Sequence, residues 1–227
     1  MRALLVLTLL AASGLAQTGK GTIGVFTNSA DIGAPPLRGS AEFDSKTQEY
    51  KITGTGTDIW GRADQFHYVW REISGNFAVT ATTRFLTDGN PHRKASIMVR
   101  RTADADSPYV HFAIHGDGMP AVQFRSVKGD TTNTLDFPID GPGTFTLRLV
   151  RQGGNVIVSV GKDGTALREL GHTVLQLGNP VLVGLAVASH DAQALNTALF
   201  SNVSIETLAA PAPPPAPAPP AAPTAPR

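Results

Sequence analysis

The residues best suited to chemistry in this chain are imidazoles, guanidinium groups and a few carboxylates. Histidines stand at positions 67, 92, 111, 115, 172 and 190. His111 and His115 fall in one alternating run, Tyr109 to His115, and share its parity with Ala113. Met98 and Arg100 precede it, and Gln123 and Arg125 follow it, in runs of the same kind. If these runs are neighbouring strands, period 2 puts Met98, Arg100, His111, Ala113, His115, Gln123 and Arg125 on one face. Ile97, Val99, Val110, Phe112, Ile114, Val122 and Phe124 take the other, as core. Arg, His and Gln supply the forked and planar hydrogen-bonding groups that sugar hydroxyls need. His67, with Gln65, is expected to extend this patch from a further strand, opposite Phe66, Tyr68 and Trp70. The competing reading of the patch is a solvated sheet face.

Sugar recognition also wants an aromatic platform. Trp60, inside Asp58-Ile59-Trp60-Gly61, is the loop candidate, with core packing as the alternative for it and for Trp70. His190-Asp191 follows an apolar run at a strand end, where loops carry function, unless Asp191 merely caps a turn.

Catalysis finds less support. Sandwich glycoside hydrolases place carboxylates at Glu-x-Asp-x-x-Glu spacing, so that two acids share one strand face. Here Glu42 and Asp44 are followed by Thr47, and the second acid is missing. No Gly-x-Ser-x-Gly occurs, and the absence of cysteine removes thiolate chemistry and disulfides. The reading is therefore a non-enzyme without catalytic residues. His111 and His115 would sit about 13 Å apart along a strand and cannot chelate one ion alone. Asp104 and Asp106, before Ser107-Pro108, read as a solvated turn rather than a Ca²⁺ loop. Neither a metal nor a cofactor is expected. Asn202-Val203-Ser204 matches a glycosylation acceptor but falls in an expected strand.

The elements that must position these residues are strands. Gln65–Arg71, Phe77–Thr82, Tyr109–His115, Thr144–Val150 and Val156–Val160 alternate. Val181–Ala188 is apolar on both faces, as suits a central strand, and Ala198–Glu206 closes the domain. Gly- and Asp-containing turns separate them at intervals of about 8–12 residues. No helical period appears outside the N-terminal segment, and Thr165–Gly171 is expected to make a short helical turn at most. About a dozen strands exceed an immunoglobulin-type domain and suit a jelly roll.

The ends differ from the middle. Met1-Arg2, the apolar run Ala3–Ala12 and Ser13-Gly14-Leu15-Ala16 read as a signal peptide, residues 1–16. Residues 17–208 form the sandwich domain. Residues 209–227 form a Pro/Ala-rich tail, disordered or polyproline II, that holds nine of the 17 prolines. With Arg2 and Arg227 in the ends, the chain between carries 17 basic and 18 acidic groups. That balance offers no reason to bind nucleic acid, and no segment reaches the length of a membrane span. The expected location is secreted or periplasmic.

The stretch FTNSADIGAPPLRGSAEFDSKTQEYKITGTGTDIWGRADQFHYVW, with KASIMVRR, DADSP and VGLAVASHDAQALNTALFSNVSI, resembles a group of secreted bacterial domains of the concanavalin A/laminin G type (the DUF1349-like group). The likeness runs from about Phe26 to Ile205. It implies an all-β concanavalin A-like jelly-roll sandwich of two antiparallel sheets, with carbohydrate or another extracellular ligand as the suspected partner and no reaction. The expected function is an exported, non-catalytic binding module for glycan. The alternatives are a self-assembling envelope or extracellular component and, behind it, a glycoside hydrolase.

Overall fold

The computed structural model describes residues 22–209. The expected signal peptide and all of the tail beyond Ala209 lie outside them. The described chain is all β: fourteen strands, numbered in chain order, form two antiparallel sheets of seven. The front sheet runs β1 (Asn28–Ile32), β4 (Phe66–Ile73), β13 (Val181–Ala188), β6 (Lys94–Arg100), β7 (Tyr109–His115), β8 (Pro120–Arg125), β9 (Asn133–Asp136). The back sheet runs β12 (Arg168–Val174), β11 (Asn155–Lys162), β10 (Phe145–Gln152), β5 (Asn76–Phe85), β14 (Asp191–Leu208), β3 (Glu49–Gly56), β2 (Ser40–Asp44). This is a jelly-roll β-sandwich, as the strand count and turn spacing imply.

Alternation builds the main core between the sheets. Ile97, Val99, Val110, Phe112 and Val122 from the front meet Phe77, Val79, Leu147, Leu149 and Phe200 from the back. On β10 the alternation is visible in the burial itself: Phe145, Leu147, Leu149 and Arg151 are buried, and the residues between them are half-buried. Val181–Ala188 is buried along its whole length and is central, between β4 and β6. The expected helical turn at Thr165–Gly171 is not formed; β12 occupies most of that span and pairs with β11 as an edge strand.

The front sheet has a second apolar cluster on its outer face: Phe66, Tyr68, Trp70, Met98, Tyr109 and Ala186, covered by Ile59. The registers explain it. Trp70 is opposite Gly184, which is opposite Met98, then His111, then Gln123. Directly paired residues share a face, so the aromatics of β4 lie on the same face as the Arg/His/Gln patch. His67 lies on the other face. Its expected place in the patch is corrected: its ring sits at the β1 edge, Nδ1 2.8 Å from Asp31 Oδ1 and Nε2 2.9 Å from Ser29 Oγ.

Candidate functional site

The polar face of β6, β7 and β8 is covered. Residues 57–65, between β3 and β4, form a strap over it, closed at its base by the Gln65 amide donating to the Asp58 carbonyl at 2.8 Å. A loop with its ends joined in this way is a compact Ω-type element. Gly33 fits it to the sheet: its φ is +73°, and a Cβ there would lie 1.9 Å from the Asp64 carbonyl oxygen.

Asp64 pins one end of the strap. Arg125 donates Nη2 to Asp64 Oδ1 at 2.7 Å and Nη1 to Oδ2 at 2.9 Å, a bidentate pair. Arg100 donates Nη1 to the same Oδ2 at 2.8 Å. All three side chains are fully buried. Two guanidinium groups against one carboxylate leave an excess positive charge, and carbonyls of the surrounding turns absorb it. Arg100 donates to Thr102 and Asp104, and Arg125 to Gly61, Ser107 and Asp130. The Tyr109 ring lies 4.9 Å beneath the Arg125 guanidinium. Burial opposes the charge on Arg125, but the Asp64 hydrogen bond and charge outweigh it and raise its pKa.

Asp58 pins the other end. Lys94, buried on β6, donates to Asp58 Oδ1, and His190 Nδ1 lies 3.2 Å from Oδ2. The latter contact is out of line for a hydrogen bond. Burial would raise the Asp58 pKa; Lys94 and His190 overcome it, and the net shift is downward.

Between the two pins, His111 is fully buried, with Nε2 2.8 Å from Gln123 Oε1 and Nδ1 3.3 Å from Ser96 Oγ. The Gln123 oxygen accepts, so the proton belongs on Nε2. Burial pushes the His111 pKa down to about 3, and the imidazole is neutral. His115 is pushed to about 3 by burial and by Lys94, and neither of its ring nitrogens has a partner. His92 packs against both His115 and His190, with ring centroids 5.8 and 5.4 Å away. Among the described residues, no three metal-ligating side chains converge on a point.

The expected face is thus neither an open groove nor a solvated sheet surface. The shared parity of Arg100, His111, His115, Gln123 and Arg125 is correct, but they serve as the floor under a strap. Direct ligand contact by Arg100, His111, Gln123 and Arg125 is corrected for the same reason: the side chains are buried and bonded to protein. Trp60 stands at the outside of the strap, 40% exposed, while Trp70 is in the second core. His190 is partly exposed at the rim, with φ +55°. Sequence reasoning missed Asp58, Asp64 and Lys94. Two acids flanking Trp60 in a short inter-strand segment were the available signal.

Similar architectures occur among solved structures. A functionally unknown protein from Saccharomyces cerevisiae aligns with TM-score 0.59 and 16% identity, over 75% of this chain and 92% of that one. The carbohydrate binding module CBM66 from Bacillus subtilis aligns with TM-score 0.54 and 15% identity, over 81% and 98%. A GH43 protein from Bacillus licheniformis aligns with TM-score 0.56 and 14% identity over 71% of this chain, which spans only 33% of that protein. At such identities the likeness establishes the fold. No protein family and no curated sequence matches the chain, so the resemblance to the DUF1349-like group rests on its sequence motifs.

The carboxylates of the strap are not arranged as a hydrolytic pair. Asp64 is sealed between two guanidinium groups, and Asp58 is held charged by Lys94. Glu42, on the edge strand β2, faces Lys51 at 3.5 Å in an exposed pair. What the strap offers outward is an indole on a rigid, cross-tied loop.

Proposed function

We propose that the protein is an exported, non-catalytic glycan-binding module, and that Trp60 on the strap is its platform. The carrying observation is the exposed indole on a loop tied at both ends by ion pairs, fully buried at Asp64 and half-buried at Asp58. An aromatic face held in place before binding loses little entropy when a sugar stacks on it. The sandwich shared with a carbohydrate binding module supports the reading, as does the engagement of both strap acids in ion pairs. A general acid for glycoside cleavage needs a raised pKa, and Asp58 is shifted the other way. Export follows from the reading of residues 1–16.

The test is affinity electrophoresis or pull-down of the mature protein on insoluble and soluble polysaccharides, repeated with Trp60→Ala. Retention that disappears with the indole is the expected result. Retention unchanged in Trp60→Ala overturns the platform, and release of reducing sugar by the wild-type protein overturns the non-catalytic assignment.

A further inference from the structure

The edge of the front sheet holds three side chains that neither the strap nor the core accounts for. β1 is an edge strand paired with β4, with Asp31 opposite His67 and Ser29 opposite Val69. Period 2 puts Ser29 and Asp31 on one face of β1. Val69 belongs to the main core, so that face is the inner one, opposite the strap. A ring of this size reaches both its direct cross-strand partner and the diagonal one. His67 does so, with Nδ1 2.8 Å from Asp31 Oδ1 and Nε2 2.9 Å from Ser29 Oγ.

Chemistry sets the protons on these contacts. A carboxylate only accepts, so the ring proton sits on Nδ1 and faces Asp31. Nε2 is then a bare acceptor, and the Ser29 hydroxyl donates to it. A serine on one ring nitrogen and a carboxylate on the other is the arrangement of nucleophile, general base and orienting acid, which is recognised by geometry and not by a sequence motif. Both distances fall in the range that proton transfer from a nucleophile needs.

Burial is graded along the three groups. The His67 side chain is 5% exposed and that of Asp31 21%, while Ser29 is half-buried at the strand edge. Gly39, one residue before β2, shields the inner end. Its amide donates to both Asp31 carboxylate oxygens at 3.1 Å. A Cβ at Gly39 would lie 2.5 Å from His67 Nδ1 and 2.6 Å from Asp31 Oδ1, so a residue without a side chain covers the bond between them. The base is thus oriented and kept from water at one nitrogen, while Ser29 at the other keeps contact with solvent.

We infer that Ser29 is an activated nucleophile that takes up a small acyl group from an ester. His67 Nε2 accepts the hydroxyl proton as Ser29 Oγ bonds to the acyl carbon. The tetrahedral adduct then expels the alkoxide of the ester, which leaves with that proton. The products are an O-acyl serine and an alcohol, with His67 neutral again. The acyl group is small because Oγ lies on the inner face of its strand, at the rim of the core. The inference goes beyond the glycan-binding reading, concerns no glycosidic bond and does not depend on Trp60.

The probe is p-nitrophenyl acetate, followed by p-nitrophenolate absorbance, intact mass and peptide mapping of the mature protein. The expected result is one acetyl group per chain, placed on Ser29 and formed with a matching burst of p-nitrophenolate. His67→Gln is expected to slow it about a hundredfold, the lower end of what a general base contributes, and Trp60→Ala to leave it unchanged. Asp31 acts by positioning. In Asp31→Asn the side-chain amide can donate to Nδ1, so long-range ¹H–¹⁵N spectra are expected to show the ring proton moved to Nε2, with acetylation slowed and circular dichroism unchanged. Acetylation of Ser29 no faster than that of the exposed Ser45, or unchanged in His67→Gln, overturns the inference. Steady p-nitrophenolate release after the burst, lost in Ser29→Ala, supports the nucleophile and overturns the non-catalytic assignment. Absence of polysaccharide retention in a protein that acetylates at Ser29 overturns the glycan reading alone.

Discussion

Asp64 and Arg125 meet carboxylate to guanidinium through two hydrogen bonds of 2.7 and 2.9 Å, with no exposure to water, although 61 residues separate them. Through this pair and the matching bond from Arg100, a loop is fastened to the middle of a sheet. The same geometry explains why the polar face carries no large open surface: its charges are used to hold its own cover.

Removing the shared carboxylate leaves two buried guanidinium groups without a counter-charge. Asp64→Asn is expected to destabilise the protein by about 3–5 kcal/mol, the range for breaking a buried ion pair from one side. Urea unfolding checks this as a lowered midpoint with an unchanged slope.

Stability is expected to fall as pH drops from about 6.5 towards 3. In the unfolded chain His111 and His115 take up protons near 6.5, whereas in the folded protein they stay neutral until about 3. The unfolded state therefore binds more protons in that window, and each imidazole contributes a slope of up to about 1.4 kcal/mol per pH unit. Their contribution is complete above pH 6.5 and is lost by pH 3. The lowered Asp58 pKa adds a loss of the same sign at the acid end, where its carboxylate protonates. Denaturation midpoints at several pH values measure the slope, and His111→Gln is expected to make it shallower.

Gly33→Ala is expected to cost about 2 kcal/mol or more. Its positive φ disfavours a side chain by about 1 kcal/mol, and the added carbon would collide with the Asp64 carbonyl. Thermal unfolding reads the loss, and near-ultraviolet circular dichroism of Trp60 reads the displacement of the strap.

Tyr68→Phe removes a hydroxyl placed 3.0 Å from the Leu182 carbonyl and 3.2 Å from that of Met98. The expected loss is about 1 kcal/mol, the net value of a typical buried hydrogen bond. Equilibrium unfolding of the single variant measures it. Trp60→Ala, in contrast, is expected to change stability by less than about 1 kcal/mol, as for a substitution near the surface.

The strands with clean alternation, and the continuously apolar central one, were legible in the sequence. Val181–Ala188 matches β13 residue for residue, and Tyr109–His115 matches β7. Edge strands were harder to see. Residues of β9 and β12 are mostly exposed or half-buried, so they need no apolar face and carry no period. The composition of the polar face was legible, and its cover was not. Alternation states which side chains share a side of a sheet, but not whether a loop lies across it. His67 failed for a related reason: parity along β4 fixes two sides, and only pairing with β13 says which of them faces inward.

The order of strands constrains how the protein can be made. β13 joins β4 to β6 in one sheet, and β14 joins β5 to β3 in the other, and both follow residue 180. Until they emerge from the ribosome, each sheet exists as two unconnected pieces, and neither can close over a core. Such long-range pairing makes folding slow. Closure of the sandwich therefore waits for the last two strands, and a chain cut before Val181 is expected to lack a closed core.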